Sequence, residues 1–139
     1  MFAHIRRVDA KERLNNVSDG IIGAAIAVHY ELGPGLLESA YEACLAFELE
    51  SRGFGIERQK PLPLVYREVV LDCAYRMDLV VNDEVIVEIK SVERINAVHK
   101  AQMLSQLRLY KRCLGLLLNF NVKWFAEGGI TRIVHNFPE

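Results

Sequence analysis

Residues 75–91 read Tyr-Arg-Met-Asp-Leu-Val-Val-Asn-Asp-Glu-Val-Ile-Val-Glu-Ile-Lys-Ser, and this stretch decides the fold. It is rich in β-branched residues on either side of the polar triplet Asn82-Asp83-Glu84, which predicts two antiparallel strands joined by a tight turn. Three charged residues interrupt these apolar strands: Asp78, Glu88 and Lys90. A charge in a buried strand is unfavourable unless it is paired, so three charges this close together predict a functional site.

The register of this hairpin decides whether the three charges meet. Side chains alternate between the two faces of a strand, which places Glu88 and Lys90 on one face. If the turn is a three-residue loop, Asp78 lies opposite Glu88 and shares that face. Such a loop is expected to form a type I turn followed by a left-handed residue. A two-residue loop would place Asp78 on the other face, unless a β-bulge changes the register.

Two carboxylates side by side repel each other unless one is protonated or a cation lies between them. Oxygen ligands completed by water suit Mg²⁺ or Mn²⁺, and such an ion polarises a phosphoryl oxygen and lowers the pKa of its bound water. Lys90 would then hold the attacking water or balance the charge of the phosphate. The competing interpretation is a salt-bridged patch on the wet face of a sheet. The spacing D-x9-E-x-K does not separate the two.

The composition is that of an ordinary globular chain, and its 139 residues fit one domain over 1–139. The formal net charge of -1 means that binding to nucleic acid would need a local basic patch. Cys44, Cys73 and Cys113 form no Cys-x-x-Cys motif, which predicts mostly buried thiols and argues against a disulfide framework or a zinc site. Residues 1–8 lack the apolar core of a signal peptide, and no run approaches the ~18 apolar residues of a membrane helix. We therefore expect a cytoplasmic protein with no membrane partner.

Helical and strand patterns divide the rest of the chain. In order, we expect a helix capped at Ser18-Asp19 that ends near Leu32, a helix over 36–52, short strands over 56–59 and 62–66, one long strand over 69–81, the strand 85–90, a helix from 95 or 96 to 113, and strands over 115–120 and 130–134. A helix between the strands 85–90 and 115–120 indicates a β-α-β crossover.

The helix after the hairpin has one polar face, formed by His99, Gln102, Gln106 and Tyr110. This face is either exposed to solvent or directed at a phosphate or at water around the metal. Basic residues surround it, at Arg94, Lys100, Arg108, Lys111 and Arg112. A basic flank beside paired carboxylates suits the phosphates of a nucleic acid, although a charged surface helix would have the same pattern.

The order of elements and the acids of the hairpin resemble the restriction-endonuclease-like fold of the PD-(D/E)XK superfamily. Residues 35–41, Gly-Leu-Leu-Glu-Ser-Ala-Tyr, are similar to the signature of the GxxExxY family of small bacterial and archaeal proteins. Residues 32–35, 76–80, 88–90 and 116–121 are also similar to that family. The resemblance spans residues 21–134. It implies an α/β fold with a three-layer core, in which helices flank a mixed central sheet.

The resemblance also implies roles for single residues. Asp78 and Glu88 match the metal-binding acids, and Ile89 matches the position whose main-chain carbonyl often faces the metal. Lys90 matches the catalytic lysine. Glu38 is similar to a helix glutamate that lambda-exonuclease-like nucleases contribute to the outer shell of the metal, although a carboxylate in the first turn of a helix is also favoured by the helix dipole alone.

One motif of the superfamily departs from its pattern here. Gln102 matches the glutamine of a Q-x-x-x-Y motif on the helix after the hairpin, but Gln106 occupies the tyrosine position. A second reading, from Gln106 to Tyr110, restores the motif one turn later. The sequence does not decide whether Gln102 or Gln106 is the glutamine of the motif.

The implied function is a Mg²⁺- or Mn²⁺-dependent nuclease that hydrolyses phosphodiester bonds of DNA or RNA, with DNA favoured. A non-catalytic nucleic-acid-binding or interaction module with the nuclease fold is the alternative, and the lack of a basic excess favours it. A small-molecule phosphohydrolase using the same metal site is a third. The sequence leaves open whether the chain forms a homodimer.

Overall fold

The computed structural model describes residues 9–139, so the expected lack of a signal peptide in residues 1–8 lies outside the described part. In chain order the elements are α1 (Ala10–Leu32), α2 (Glu38–Ser51), β1 (Ile56–Pro61), β2 (Leu64–Tyr66), β3 (Val69–Leu71), β4 (Arg76–Val81), β5 (Val85–Lys90), α3 (Ala97–Tyr110), β6 (Leu114–Asn119) and β7 (Ile130–Val134). Within residues 9–139, none of the helices has the length and apolar character needed to cross a bilayer.

Five strands form one mixed sheet in the order β1-β4-β5-β6-β7. Only β5 and β6 are parallel within it, and α3 connects them, which confirms the predicted crossover. One apolar cluster joins the sheet to α1 and α2, and a second joins it to α3. Helices therefore cover both faces of the sheet, and the predicted three-layer α/β core is confirmed.

The centre of the sheet is buried on both faces. In β5, Val85, Val87 and Ile89 pack in the cluster with α1 and α2, while Ile86 packs in the cluster with α3. Each such side chain stabilises the fold by about 1.5–3 kcal/mol when it is fully buried. Glu88 lies in the middle of this apolar strand and is the residue that packing does not explain.

The predicted N-cap of α1 is wrong. Asp9 caps the helix, because its carboxylate accepts a hydrogen bond at 2.7 Å from a main-chain N–H of the first turn. Ser18 is buried inside the helix instead. Leu14, Val17 and Ile21 explain the difference, since they form a buried stripe at helical spacing that begins well before the expected cap.

The predicted long strand over 69–81 is also wrong, because it is divided into β3 and β4. The carboxylate of Asp72 accepts a hydrogen bond from the Ala74 N–H at 3.0 Å, and Ala74 has a φ of 55°. A short polar side chain that bonds the backbone two residues later forms a turn and interrupts a strand. As a result, β2 and β3 form a separate two-stranded sheet.

The hairpin of β4 and β5 has the predicted three-residue loop, since Val81 pairs with Val85. The expected turn conformation is wrong. Asn82 and Asp83 have φ values of 52° and 55°, the pattern of a type I′ turn, and the Glu84 N–H closes it by donating to the Val81 carbonyl at 3.0 Å. Asn and Asp tolerate these left-handed angles better than most residues do.

The expectation of mostly buried thiols is wrong. Cys44 and Cys73 are exposed, and Cys113 is partly buried. Cys44 is exposed on α2, and Cys73 lies in the connection between β3 and β4, where the sequence pattern predicts a continuous strand.

Candidate functional site

The ladder between β4 and β5 ends where the two acids begin. Its last main-chain pair is Leu79 with Val87, and the next position places Asp78 opposite Glu88. At this position, hydrogen bonds to side chains take the place of the main-chain hydrogen bonds between the strands. The Asp78 N–H donates to Glu88 Oε1 at 3.1 Å, and the Ile89 N–H donates to Asp78 Oδ2 at 2.9 Å. The two carboxylates meet at the point where the strands separate, as the three-residue loop predicted.

The regular alternation of β4 breaks at Asp78. Leu79 packs on the α1–α2 side of the sheet and Val80 on the α3 side. Alternation would place Met77 with Leu79, but Met77 belongs to the cluster on the α3 side. Gln59 on β1, opposite Asp78, has a φ of 49° and is passed over by the ladder. Such irregular positions in strands re-aim side chains and are frequent beside active sites.

Glu88 is a buried acid with 8% of its surface exposed. Burial first, and the negative charge of Asp78 second, together raise the pKa of Glu88 to about 8. A hydrogen bond from Gln106 acts in the opposite direction and lowers this pKa. Near neutral pH such a carboxylate takes up either a proton or a cation.

Lys90 and Glu38 are placed at the carboxyl end of β5. Lys90 is half-buried and shares a face with Glu88 by strand alternation. The next N–H, that of Ser91, donates to Glu38 Oε1 at 3.2 Å, and the Ser91 hydroxyl donates to the Leu36 carbonyl at 3.0 Å. The first turn of α2 is thereby attached to the end of the strand that carries Glu88 and Lys90.

Tyr41 fixes the turn that precedes α2. It is fully buried, and its ring stacks on a buried phenylalanine with the ring centres 4.5 Å apart. Its hydroxyl donates to the Gly33 carbonyl at 2.5 Å and accepts from the Leu36 N–H at 3.1 Å. Gly35 has a φ of 105°, which a residue with a side chain rarely adopts. Tyr41 and Gly35 together set the position from which Glu38 reaches Ser91.

The glutamines of α3 have different surroundings. Gln106 is 3% exposed, and its amide donates to the Tyr75 hydroxyl at 3.4 Å. Its Oε1 has no hydrogen-bond partner among residues 9–139. Gln102 is exposed, and Tyr110 hydrogen-bonds to the turn between β4 and β5. The structure thus brings Gln106 to Glu88 and leaves Gln102 at the surface.

Three residues that the sequence did not single out complete the neighbourhood of Asp78. Glu42 is buried in α2 and forms an ion pair with Arg58 at 3.0 Å. The Gln59 amide donates both to Glu42 Oε1 at 2.5 Å and to Asp78 Oδ1 at 3.2 Å. Glu42 lies one helical turn after Glu38, which is the one signal in the sequence that pointed to this side of α2.

The donor atoms fit a cation bound by two carboxylates and water. Within the described residues 9–139, no group of three His, Cys, Asp or Glu side chains is arranged to hold a metal ion. Asp78 and Glu88 nevertheless lie together, and a positive charge between them would offset the burial and the mutual repulsion that raise the pKa of Glu88. Mg²⁺ binds through one or two carboxylates and keeps several of its waters, so this donor set suits it.

A family model described as the PD-(D/E)XK nuclease superfamily matches residues 15–133. Searches against curated proteins and against solved structures give no match. The matched range includes every residue of the site described above.

Proposed function

Because the chain belongs to the PD-(D/E)XK nuclease superfamily, we propose that it is a metal-dependent nuclease that hydrolyses phosphodiester bonds of DNA or RNA. Nucleases of this superfamily generally use divalent metal ions, and membership implies a nucleic-acid substrate. The main support for the proposal is that Asp78 and Glu88 lie side by side where the pairing of β4 with β5 ends.

Asp78 and Glu88 would hold Mg²⁺ or Mn²⁺ together with the main-chain carbonyl of Ile89 and water. Support comes from the burial of Glu88 and from its nearness to Asp78, which together disfavour two uncompensated negative charges. When bound, the ion supplies positive charge that polarises the scissile phosphate and lowers the pKa of a coordinated water.

Lys90 would orient the attacking water and take part in its deprotonation. Its position on the face of Glu88, at the end of β5, supports this role. Glu38 and Gln102 would support the water of the site and the scissile phosphate. Glu38 would act from the first turn of α2 beside Ser91, and Gln102 from the exposed side of α3.

We propose that exposed basic residues on and beside α3 form the local patch that a chain of net charge -1 would need for nucleic acid. Arg94 precedes α3, and Lys100 and Arg108 lie on it with exposed side chains. Arg112 differs, because it forms an ion pair with Asp83 at 3.0 Å. We therefore propose Arg94, Lys100 and Arg108 as the phosphate contacts.

We also propose membership of the GxxExxY family, which the contacts of Gly35, Glu38 and Tyr41 support. Gly35 forms the turn before α2, Glu38 contacts the end of β5, and Tyr41 anchors the turn. DNA over RNA as substrate and a cytoplasmic location stay predictions, and whether the chain forms a homodimer stays open.

The proposal is tested by incubating the protein with single- and double-stranded DNA and RNA in Mg²⁺ or Mn²⁺. We expect cleavage that stops when EDTA is added and that Asp78→Asn abolishes, while Glu50→Gln, an exposed carboxylate on α2, cleaves like the wild type. Metal binding without cleavage of any of these polymers would contradict the proposal and support the non-catalytic module. Turnover of nucleotides but not of polymers would indicate a small-molecule phosphohydrolase.

A further inference from the structure

We propose that Gln59 is a positioning residue for Asp78, and that Glu42 and Arg58 hold Gln59 in place for this role. The inference rests on the proposed metal site and assigns the side chains that orient one of its two acids. Gln59 contacts Asp78 and would act on the reaction through it.

The amide of Gln59 bridges two carboxylates. Its Nε2 atom lies 2.5 Å from Glu42 Oε1 and 3.2 Å from Asp78 Oδ1. A primary amide carries two N–H groups, so it donates to both acids at the same time. Gln59 therefore links Glu42 to Asp78 with a neutral group, and it adds no charge beside the acids that would hold the metal.

Glu42 is the fixed end of this bridge. It is 6% exposed, and its Oε2 accepts from Arg58 Nη2 at 3.0 Å and from Arg58 Nε at 3.3 Å. A buried carboxylate is stable only when it is paired and hydrogen-bonded. One oxygen of Glu42 is used for Arg58 and the other for Gln59, so the orientation of the Gln59 amide is determined from α2.

The backbone of Gln59 also departs from regular β-structure at this residue. Its φ of 49° lies in the left-handed region, which is unfavourable for a glutamine. The ladder pairs Arg58 with Leu79 and Lys60 with Met77, and it passes over Gln59, which faces Asp78 between them. Gln59 is exposed, so core packing does not impose this conformation. An unfavourable angle beside a site, maintained by two side-chain bonds, indicates a functional constraint.

The result of these contacts is that both oxygens of Asp78 are held. Oδ2 accepts from the Ile89 N–H at 2.9 Å, and Oδ1 accepts from Gln59 at 3.2 Å. A carboxylate ordered before the ion arrives loses less conformational entropy on binding, which increases its affinity for the ion. Groups that orient metal-binding side chains typically change metal affinity or activity by about 10–100-fold when they are removed.

Gln59→Gly removes the amide contacts and keeps the backbone angle, because glycine adopts a φ near 49° without strain. We expect its Mn²⁺ dissociation constant, measured by calorimetry, to rise roughly tenfold or more. Its melting temperature should change little, because relief of the left-handed angle offsets the hydrogen bond that buried Glu42 loses. Glu57→Gln, an exposed carboxylate on the same strand, serves as the control and should stay within about twofold of the wild type. A Mn²⁺ affinity of Gln59→Gly equal to that of the control would overturn the proposal.

A second measurement needs no metal. The Ile89 N–H is protected by Asp78, so loss of Gln59 should speed its hydrogen exchange in the metal-free protein by about tenfold relative to the Val87 N–H. If the wild type bound no Mn²⁺, the metal centre would be refuted, and the Ile89 exchange rate would still decide the role of Gln59. An exchange rate of Ile89 that Gln59→Gly leaves unchanged overturns the positioning role.

Discussion

The Asp78 N–H donates to the carboxylate of Glu88 at 3.1 Å, at the first position beyond the end of the β4–β5 ladder. This contact replaces a regular main-chain bond with a bond to a side chain. It leaves two acids together on strands whose other side chains are mostly buried and apolar. Such a pair is unfavourable in a sheet unless one acid is protonated or a cation lies between the two, which is the condition that the proposed metal site meets.

Glu88 should make the metal-free protein less stable as the pH increases. Its pKa is raised in the folded state to about 8 from 4.5, so the folded state binds the proton more tightly than the unfolded state. The contribution of Glu88 to the free energy of unfolding is fully present below its pKa in the unfolded state, about 4.5. It is lost as the pH rises through its pKa in the folded state, about 8. Its size is on the order of a few kcal/mol. Chemical denaturation in EDTA across this pH range measures it.

Glu88→Gln should remove most of this pH dependence, because glutamine cannot titrate. Glu50→Gln is the matched control and should keep it, since Glu50 is exposed on α2. A metal-free wild type that is equally stable at about pH 6 and about pH 9 would contradict the burial of an ionisable Glu88 beside Asp78.

Added Mg²⁺ should stabilise the protein more at alkaline than at acidic pH. The ion and the proton compete for the same carboxylates. When the pH is below the pKa of Glu88, the ion must therefore displace a proton in order to bind. We expect the increase in melting temperature at a fixed Mg²⁺ concentration to be larger at about pH 8.5 than at about pH 5.5. In Asp78→Asn this increase should be absent at both pH values. A pH-independent increase that survives in Asp78→Asn would place the ion elsewhere.

Lys90→Ala should reduce nucleic-acid cleavage by roughly 10²–10⁴-fold, the range for the loss of a group that assists proton transfer. Stability should change little, because Lys90 is half-buried at the end of its strand. Gel-based cleavage rates and melting curves measure the two effects. Lys11→Ala, an exposed lysine on α1, is the control. Equal cleavage by Lys90→Ala and Lys11→Ala would remove Lys90 from the mechanism.

Tyr41→Phe should lower the free energy of unfolding by about 1–3 kcal/mol, because it leaves the Gly33 carbonyl and the Leu36 N–H without their partner. Urea denaturation measures this change. Cleavage should fall several-fold as well, since the turn that Tyr41 anchors positions Glu38. Tyr30→Phe, at a tyrosine that is 89% exposed, should alter neither quantity. A fully stable Tyr41→Phe would show that the turn before α2 does not depend on the hydroxyl.

The core of the site could be predicted because it depends on local sequence. The three polar residues after Val81 set the loop length, and the loop length sets the register that brings Asp78 to Glu88. The crossover also followed from apolar runs on either side of α3. These features depend on strand alternation and on turn composition, which a sequence displays directly.

The contacts of Gln59 and Gln106 could not be predicted in this way. Gln59 reaches Asp78 because its backbone takes a left-handed angle that no composition rule assigns to a glutamine in a strand. Gln102 and Gln106 share a helical face, and the packing of α3 on the sheet buries Gln106 and leaves Gln102 exposed. Such choices are made by tertiary packing and are absent from local patterns.

The most direct test of the account is a crystal soaked in Mn²⁺ and measured at a wavelength that locates the ion by anomalous scattering. We expect one strong peak bound by carboxylate oxygens of both Asp78 and Glu88, at about 2.0–2.3 Å, and no peak there in Asp78→Asn. Anomalous peaks found only away from these two side chains, or an unchanged peak in Asp78→Asn, would contradict it.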